Sequence, residues 1–261
     1  MDGETDVPDM EKKVKQQVVR LATDTNSLVA KAGAEGLVGR AVEAIIDDIR
    51  ANGLRKGDLL PGENALATKL GVSRIVVREA NRYLAALGIV EIANGRAPRV
   101  SVPDENVVGM LLDHVVYTRH VTVQQVLAVR RPLEIRSAAL AAMRRTPEEA
   151  QRIVSHAAGM RKALKDPEAM REHDIALHAT IAEATQNPLL AIMIKAFEPV
   201  TRQTWPVGWK SRAEQDEQLL MIACHESIAD AILRQDVADA RATMAAHFDD
   251  TVRALVAAGV T

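Results

Sequence analysis

The sequence predicts a mainly α protein in two parts: a three-helix segment closed by a small β wing, then an antiparallel all-helical bundle. Three observations carry this. Apolar residues recur at the helical period through most of the 261 residues. One stretch, residues 89–102, is instead rich in β-branched residues and holds an Asn-Gly pair suited to a tight turn. Aromatic residues make up 2% of the chain, which with 14 Gly and 10 Pro argues against a β-sandwich or barrel.

Residues 1–35 read as a polar tail with one helix at about 9–22, around Val18, Val19 and Leu21. From Leu37 the pattern changes: Val38, Val42, Ile45, Ile46 and Ile49 define a first helix, stopped by Asn52-Gly53. A loop through Gly57-Asp58 and Pro61-Gly62 leads to a short helix from Glu63 to Leu70, ended by Gly71. Ser73 is an N-cap residue, and the third helix runs from it to Leu87-Gly88. Ile89–Ile92 and Arg99–Val102 read as strands around Asn94-Gly95. Two helices joined by a glycine turn and followed by a hairpin form a winged helix-turn-helix, here residues 36–102. Residues 103–121 are a linker and connecting helix, and 122–258 an all-helical domain. Helices are expected at 107–118, 122–144, 147–165, 167–185, 188–204, 213–234 and 236–258. Thr146-Pro147-Glu148-Glu149 joins an N-cap, a first-turn proline and a capping-box glutamate; Asp166-Pro167 and Asn187-Pro188 repeat the device.

Charge and cysteine usage exclude several classes. Thirty-three Lys+Arg against 35 Asp+Glu leave a net charge of −2, so no global field advertises a partner. The lone cysteine, Cys224, rules out an intramolecular disulfide framework and a thiolate-rich zinc module, and fits a reducing compartment. No apolar run reaches the roughly 18 residues of a membrane span, and the first residues have no signal-peptide core. A cytoplasmic protein with no membrane partner is expected.

The third helix carries the first candidate site. At 100° per residue, Val76, Val77, Ala80, Tyr83, Leu84 and Leu87 share one side, while Arg74, Arg78 and Arg82 form a line on the other, with Ile75 and Asn81 beside them. A guanidinium fork bonds guanine O6 and N7 in the major groove, or grips phosphate. Arg96, at the wing tip, is placed to reach a minor groove or phosphates. Residues 37–102 hold ten Lys/Arg and seven Asp/Glu, a modest basic excess. Most charged lines on helices merely solvate a face; the glycine turn, the serine cap and the hairpin favour double-stranded DNA as the partner.

The run Gly57-Asp58-Leu59-Leu60-Pro61, Glu63, Leu66-Ala67, Leu70-Gly71-Val72-Ser73-Arg74, Val77-Arg78-Glu79-Ala80 and Leu84, continued by Gly88, Ile89-Val90 and Asn94-Gly95-Arg96, resembles the DNA-binding domain of GntR-family transcription regulators. The resemblance implies that Arg74 and Arg78 read bases, Ser73 holds phosphate and Asn94-Gly95 approaches the minor groove. Asn64 stands where the family often has an arginine, and Ile75 where it commonly has a small or polar residue. The groove-binding mode therefore carries over and the operator sequence does not.

The second candidate site lies in the helical part. Asp174 and His178 are spaced i, i+4, which puts a carboxylate and an imidazole on one helix face. His225 and His247 sit in apolar contexts on the last two helices, which antiparallel packing can bring opposite them. Three imidazoles and a carboxylate suit a divalent transition metal such as zinc or nickel. A histidine on a helix is more often a surface or satisfied core residue, as His114, His120, His156 and His173 are read here.

Residues 122–255 resemble the FCD effector-binding domain of the FadR subgroup, through Val126-Leu127-Ala128-Val129-Arg130, the D-x-x-x-H of Asp174 and His178, Asn187-Pro188-Leu189-Leu190, and the later His225 and His247. The resemblance implies that Asp174, His178, His225 and His247 hold a metal, zinc first with nickel or manganese as alternatives; an apo pocket in which they only hydrogen-bond is the other reading. Arg130 and Asn187 are its effector-binding candidates. Arg130 would hold a carboxylate as a bidentate pair, against an internal salt bridge. Trp205 and Trp209 either flank this pocket or simply pack.

The expected function is a transcription repressor acting as a homodimer on a pseudo-palindromic operator, with affinity set by a small organic acid bound near the metal. The rival is a metal-dependent hydrolase or lyase with Glu172 or Glu226 as acid or base. A third reading is an architectural DNA-binding protein whose helical half only dimerises.

Overall fold

The computed structural model describes residues 36–93, 96–212 and 214–260. The expected tail helix at 9–22 and the Asn94-Gly95 turn lie outside them. The chain divides into two compact units, Met1–Pro103 and Asp104–Thr261.

The first unit contains helices α1 (Leu37–Ala51), α2 (Glu63–Leu70) and α3 (Arg74–Ala86) and strands β1 (Val90–Glu91) and β2 (Arg99–Val100). α3 packs on both α1 and α2. The shared core holds Val42, Ile45, Leu66, Val77 and Leu84, each fully excluded from solvent; every such side chain contributes about 1.5–3 kcal/mol of transfer free energy. Gly71 caps α2 in the left-handed conformation at φ 65°, which glycine adopts without Cβ strain and which turns the chain into α3. Ser73 then accepts a hydrogen bond from the Val76 N–H at 3.4 Å, opening α3 as its cap.

The wing is antiparallel, with Val90 opposite Val100 and Glu91 opposite Arg99. Its strands are shorter than the expected 89–92 and 99–102. Pro98 has no N–H to give β1, and the return strand bonds a second neighbour: Leu60 N–H donates to the Pro98 carbonyl at 2.8 Å and Val100 N–H to the Asp58 carbonyl at 2.9 Å. The segment 57–60 therefore holds the other edge of β2.

The second unit contains α4 (Glu105–Tyr117), α5 (Val123–Arg144), α6 (Pro147–Lys162), α7 (Pro167–Glu183), α8 (Pro188–Ala196), α9 (Glu198–Ser211), α10 (Gln215–Leu233) and α11 (Val237–Ala257). The expected capping box of Thr146 with Glu149 forms, and a second, not foreseen, joins Thr122 with Gln125; Asp166, Asn187 and Asp236 cap α7, α8 and α11. The single helix expected at 188–204 is two. Pro199 cannot donate to the Lys195 carbonyl and its ring crowds it, so the chain breaks at Phe197; α9 then continues through Pro206 to Ser211.

α5 packs along α11, α7 and α10, and α6 lies against α7 and α10. Ala138, Ala141 and Ala142 are buried where α5 meets its neighbours, and their small side chains let Ile181, Ile228, Ile232 and Phe248 close the core. α4 packs on α8 and α9. Among the described residues no helix is long and apolar enough to cross a membrane.

Candidate functional site

In the first unit, α3 presents its arginines to solvent. Arg74, Arg78 and Arg82 are exposed, and Ile75 between them is 71% exposed. With Asn64, Asn81 and Arg96 the three arginines line a groove of about 650 Å³. Arg96 has no side-chain hydrogen bond or ion pair among the described residues, whereas Arg82 pairs with Glu79 at 2.8 Å. Arg78 donates through Nε to Glu63 Oε1 at 3.1 Å and through Nη2 to Oε2 at 2.9 Å. These bonds hold the Glu63 carboxyl below its usual range and raise Arg78. The sequence reading gave Glu63 no role; its place at the start of α2, facing the second turn of α3, is fixed by tertiary packing. Asn81, expected beside the arginine line, is 2% exposed, with neither amide atom hydrogen-bonded. Asn94 and Gly95 lie outside the described residues.

In the second unit, α7, α10 and α11 bring the predicted cluster together. Single nitrogens of His178, His225 and His247 all lie within 4.8 Å of one another, and all three rings are buried. Asp174, one turn before His178 on α7, places Oδ1 2.9 Å from His225 Nε2. The His225–His247 and His178–His247 ring centroids are 4.4 and 5.1 Å apart. The rings line a cavity of about 60 Å³, room for an ion with a few water-sized groups.

The outer hydrogen bonds decide what the rings offer this cavity. His225 Nδ1 lies 2.8 Å from the Met221 carbonyl, one turn back on α10. A carbonyl only accepts, so Nδ1 carries a proton, and Nε2 is the nitrogen turned to the cavity. Nε2 is buried and has no hydrogen-bond partner, despite its approach to Asp174. At that distance either a proton on Nε2 or a bound cation must lie between the nitrogen and the carboxylate. His178 repeats the pattern: Nδ1 lies 2.6 Å from Glu134 Oε2, leaving its Nε2 for the cavity. Burial, then the neighbouring His225, His178, Arg130 and Arg212, hold the His247 imidazole well below 6.5 and therefore neutral. Burial raises the Asp174 carboxyl, but the His225 ring, followed by His178 and Arg130, outweighs this and holds it at about 2. A carboxylate and three imidazoles in a closed pocket fit a divalent transition metal.

Glu134 was missed by the sequence reading. It is fully buried on α5 and takes Arg130 Nε on Oε1 at 2.7 Å as well as His178 on Oε2. Burial pushes its carboxyl up, and the charges and hydrogen bonds of His178 and Arg130 bring it below the usual value. A sequence signal existed. Leu127, Arg130, Glu134, Ala138 and Ala141 lie on one stripe of α5, so a charge pair at i, i+4 falls on the apolar face.

Arg130 lines the cavity, but its fork is occupied by Glu134, and Nη1 donates to Thr201 Oγ1 at 2.6 Å. Asn187 caps α8 by accepting from the Leu189 N–H at 3.1 Å and does not line the cavity. Trp205 and Trp209 do line it, stacked with centroids 5.4 Å apart. His156 and His173 pair with each other, ring centroids 5.8 Å apart. Glu172 is tied to Arg202 at 2.5 Å and 2.7 Å, and Glu226 to Arg161 at 2.5 Å and 2.6 Å. Among the described residues Asp174 is the only carboxylate lining the cavity, and Glu134 meets the histidines from outside it, through His178 Nδ1.

Comparison with known proteins agrees with this division. Residues 37–100 match the bacterial regulatory proteins of the gntR family, and residues 125–250 match the FCD domain. The HTH-type transcriptional regulator LutR of Bacillus subtilis is 32% identical over 206 residues, 76% of this chain and 92% of LutR. The putative L-lactate dehydrogenase operon regulatory protein of Escherichia coli K12 is 28% identical over 226 residues, 80% of this chain and 81% of that protein. The structure of Streptococcus agalactiae GntR shares the fold, with a TM-score of 0.59 at 22% identity over 83% of this chain and 99% of that one. These families and relatives are transcription regulators and not enzymes. The chain belongs to the GntR family of DNA-binding transcription regulators, its winged helix-turn-helix followed by an FCD domain.

Proposed function

We propose that this regulator is a homodimeric repressor whose operator affinity is set by a small organic acid bound at a divalent metal in the helical domain. The observation that carries the reading is His225, whose Nδ1 is engaged by the Met221 carbonyl while Nε2 is buried, unpartnered and turned on Asp174. Asp174, His178, His225 and His247 would hold the ion, zinc before nickel or manganese. When bound, the metal supplies a Lewis-acid site for an effector oxygen. Glu134 and the Met221 carbonyl fix the two imidazoles in the ligating tautomer. The stacked Trp205 and Trp209 wall one side and favour the effector's apolar part. Arg130, already paired, positions Glu134 more than it offers an empty fork.

Two relatives' names refer to L-lactate dehydrogenase and to fatty acid metabolism, and both concern carboxylic acids. A cavity of about 60 Å³ favours the smaller kind. In the cytoplasm two α3 helices would read the halves of a pseudo-palindromic site, with Arg74 and Arg78 on bases, Ser73 on phosphate, Asn64 and Ile75 at the groove edge, and Asn94, Gly95 and Arg96 at the wing. The effector acts only through differential affinity for two arrangements of the dimer.

The test is elemental analysis of purified protein, then thermal scans with short hydroxy-, keto- and unsubstituted carboxylic acids, before and after chelation. A ligand selective for the folded state raises Tm. The reading expects about one zinc per chain and acid-induced stabilisation that chelation abolishes. Stabilisation that survives chelation overturns the metal's role in effector binding. Operator binding unaffected by a stabilising acid overturns the control.

A further inference from the structure

Arg78 is the expected base reader of α3, yet in the DNA-free protein it is not a bare cation. Glu63 takes its Nε and Nη2 in a two-point pair of 3.1 and 2.9 Å. The pair sits in the open, side chains 49% and 30% exposed, on the wall of the arginine-lined groove. A guanidinium has two forked edges. Glu63 occupies the Nε/Nη2 edge, which leaves the Nη1/Nη2 edge free, the one able to meet guanine O6 and N7 together. Glu63 also cancels the arginine's charge. A phosphate rewards charge and tolerates many geometries, whereas a guanine edge rewards a fixed, correctly turned fork.

We infer that Glu63 is a specificity-determining residue of the DNA site: it fixes the Arg78 fork for a guanine edge and suppresses the use of that arginine as a general phosphate clamp. The inference rests on the reading of α3 as the recognition helix. Neighbouring cations mark the contrast. Arg96 lines the same groove with no side-chain hydrogen bond or ion pair among the described residues, so it suits phosphate. Arg82 is held within its own helix by Glu79 at 2.8 Å, through Nη1 alone.

The experiment uses the full-length protein and a duplex selected by the wild type from a random library, with a scrambled duplex of equal length as competitor. Glu63→Gln is expected to bind the scrambled duplex more tightly, with a salt dependence steeper by about 0.9 in log–log slope for each Arg78 it releases onto phosphate. Discrimination between the duplexes should fall by about fivefold or more, the low end of one bidentate arginine–guanine contact. In an Arg78→Ala background, Glu63→Gln should change neither quantity. If Glu63→Gln shifts both duplexes by the same factor, or leaves slope and discrimination unchanged, the inference is wrong. It is also wrong if the effect persists without Arg78. Should the wild type select no duplex at all, the assignment of α3 fails before Glu63 is tested.

Discussion

Replacing Glu134 by Gln isolates the buried carboxylate that orders the histidine cavity. Its two oxygens take Arg130 Nε and Nη2, each at 2.7 Å, and His178 Nδ1 at 2.6 Å. Glutamine keeps the shape and one accepting oxygen, but its amide nitrogen cannot accept from the second partner. Arg130, with its side chain 11% exposed, is then left with an uncompensated charge. Breaking a buried pair in this way costs about 3–5 kcal/mol. The retained oxygen and the Thr201 contact place the expected loss near the lower figure. At about 2–4 °C per kcal/mol for a unit of this size, Tm should fall by about 6–12 °C. Separately, losing the carboxylate that orients His178 should weaken zinc binding by about 10–100-fold. Calorimetry of the apoprotein measures the first effect, and competition against a chromophoric chelator the second. Adding Arg130→Met removes the stranded charge, so the double variant should regain stability without regaining zinc affinity. A lower Tm with unchanged zinc affinity would refute the reasoning, because Glu134 would then serve only as a counter-charge.

Other perturbations separate the two units. Arg78→Ala should weaken binding to a selected operator by about 1–3 kcal/mol per half-site with zinc content unchanged; an unaltered operator affinity would count against the assignment of α3. His225→Ala should abolish zinc-dependent stabilisation in a thermal scan, and retention of stoichiometric zinc would remove His225 from the site. Asn81→Leu removes a buried amide with no partner and should stabilise the protein by up to about 1–3 kcal/mol, read in urea melts; destabilisation would mean that the amide is satisfied by water. For pH, His247 lies well below 6.5 in the folded chain, chiefly through burial, while an unfolded imidazole protonates near 6.5. The unfolded chain therefore binds the extra proton first, and apoprotein stability should fall as pH drops below about 6.5, at most about 1.4 kcal/mol per unit. Asp174 and Glu134 have depressed folded values; their contribution is present above the unfolded carboxyl range near 4 and is lost at lower pH. Urea melts between pH 7.5 and 5 that show rising stability on acidification would contradict this.

Much of the fold was legible because local chemistry wrote it. Ser73, Thr146, Asp166 and Asn187 each cap the helix they precede, and Gly71 marks the turn of the helix-turn-helix. The errors came where a local rule met a competing one. Residues 188–204 carry an unbroken apolar pattern, yet Pro199 breaks the backbone that the pattern would extend. Strand pairing in the wing is cut short at Pro98, and the other edge of β2 is taken by residues 57–60, some forty positions upstream. No hydrophobic periodicity encodes that pairing. Asn81 lies beside the arginine line as its angle on the helical wheel placed it, but a wheel does not say how deeply it is buried.

The functional residues show a sharper division. Asp174 and His178 could be paired from their i, i+4 spacing, but it was the resemblance to the FCD domain that joined them to His225 and His247 as one set. Glu63 and Glu134 carry no such signature, since an acid that orients another group needs only to be opposite it after folding. The two are physically alike. Each receives two nitrogens of one arginine, and each fixes a group expected to work on something else: Arg78 on a base edge, His178 on a metal. Their difference is burial. Glu134 is enclosed, so removing it strands a charge and should cost stability. Glu63 stands at the surface, where an ion pair contributes little to folding, and its removal should be felt almost entirely in what the arginine selects. A net charge of −2 conceals both arrangements, because the pairing that makes these cations specific also cancels them in the total.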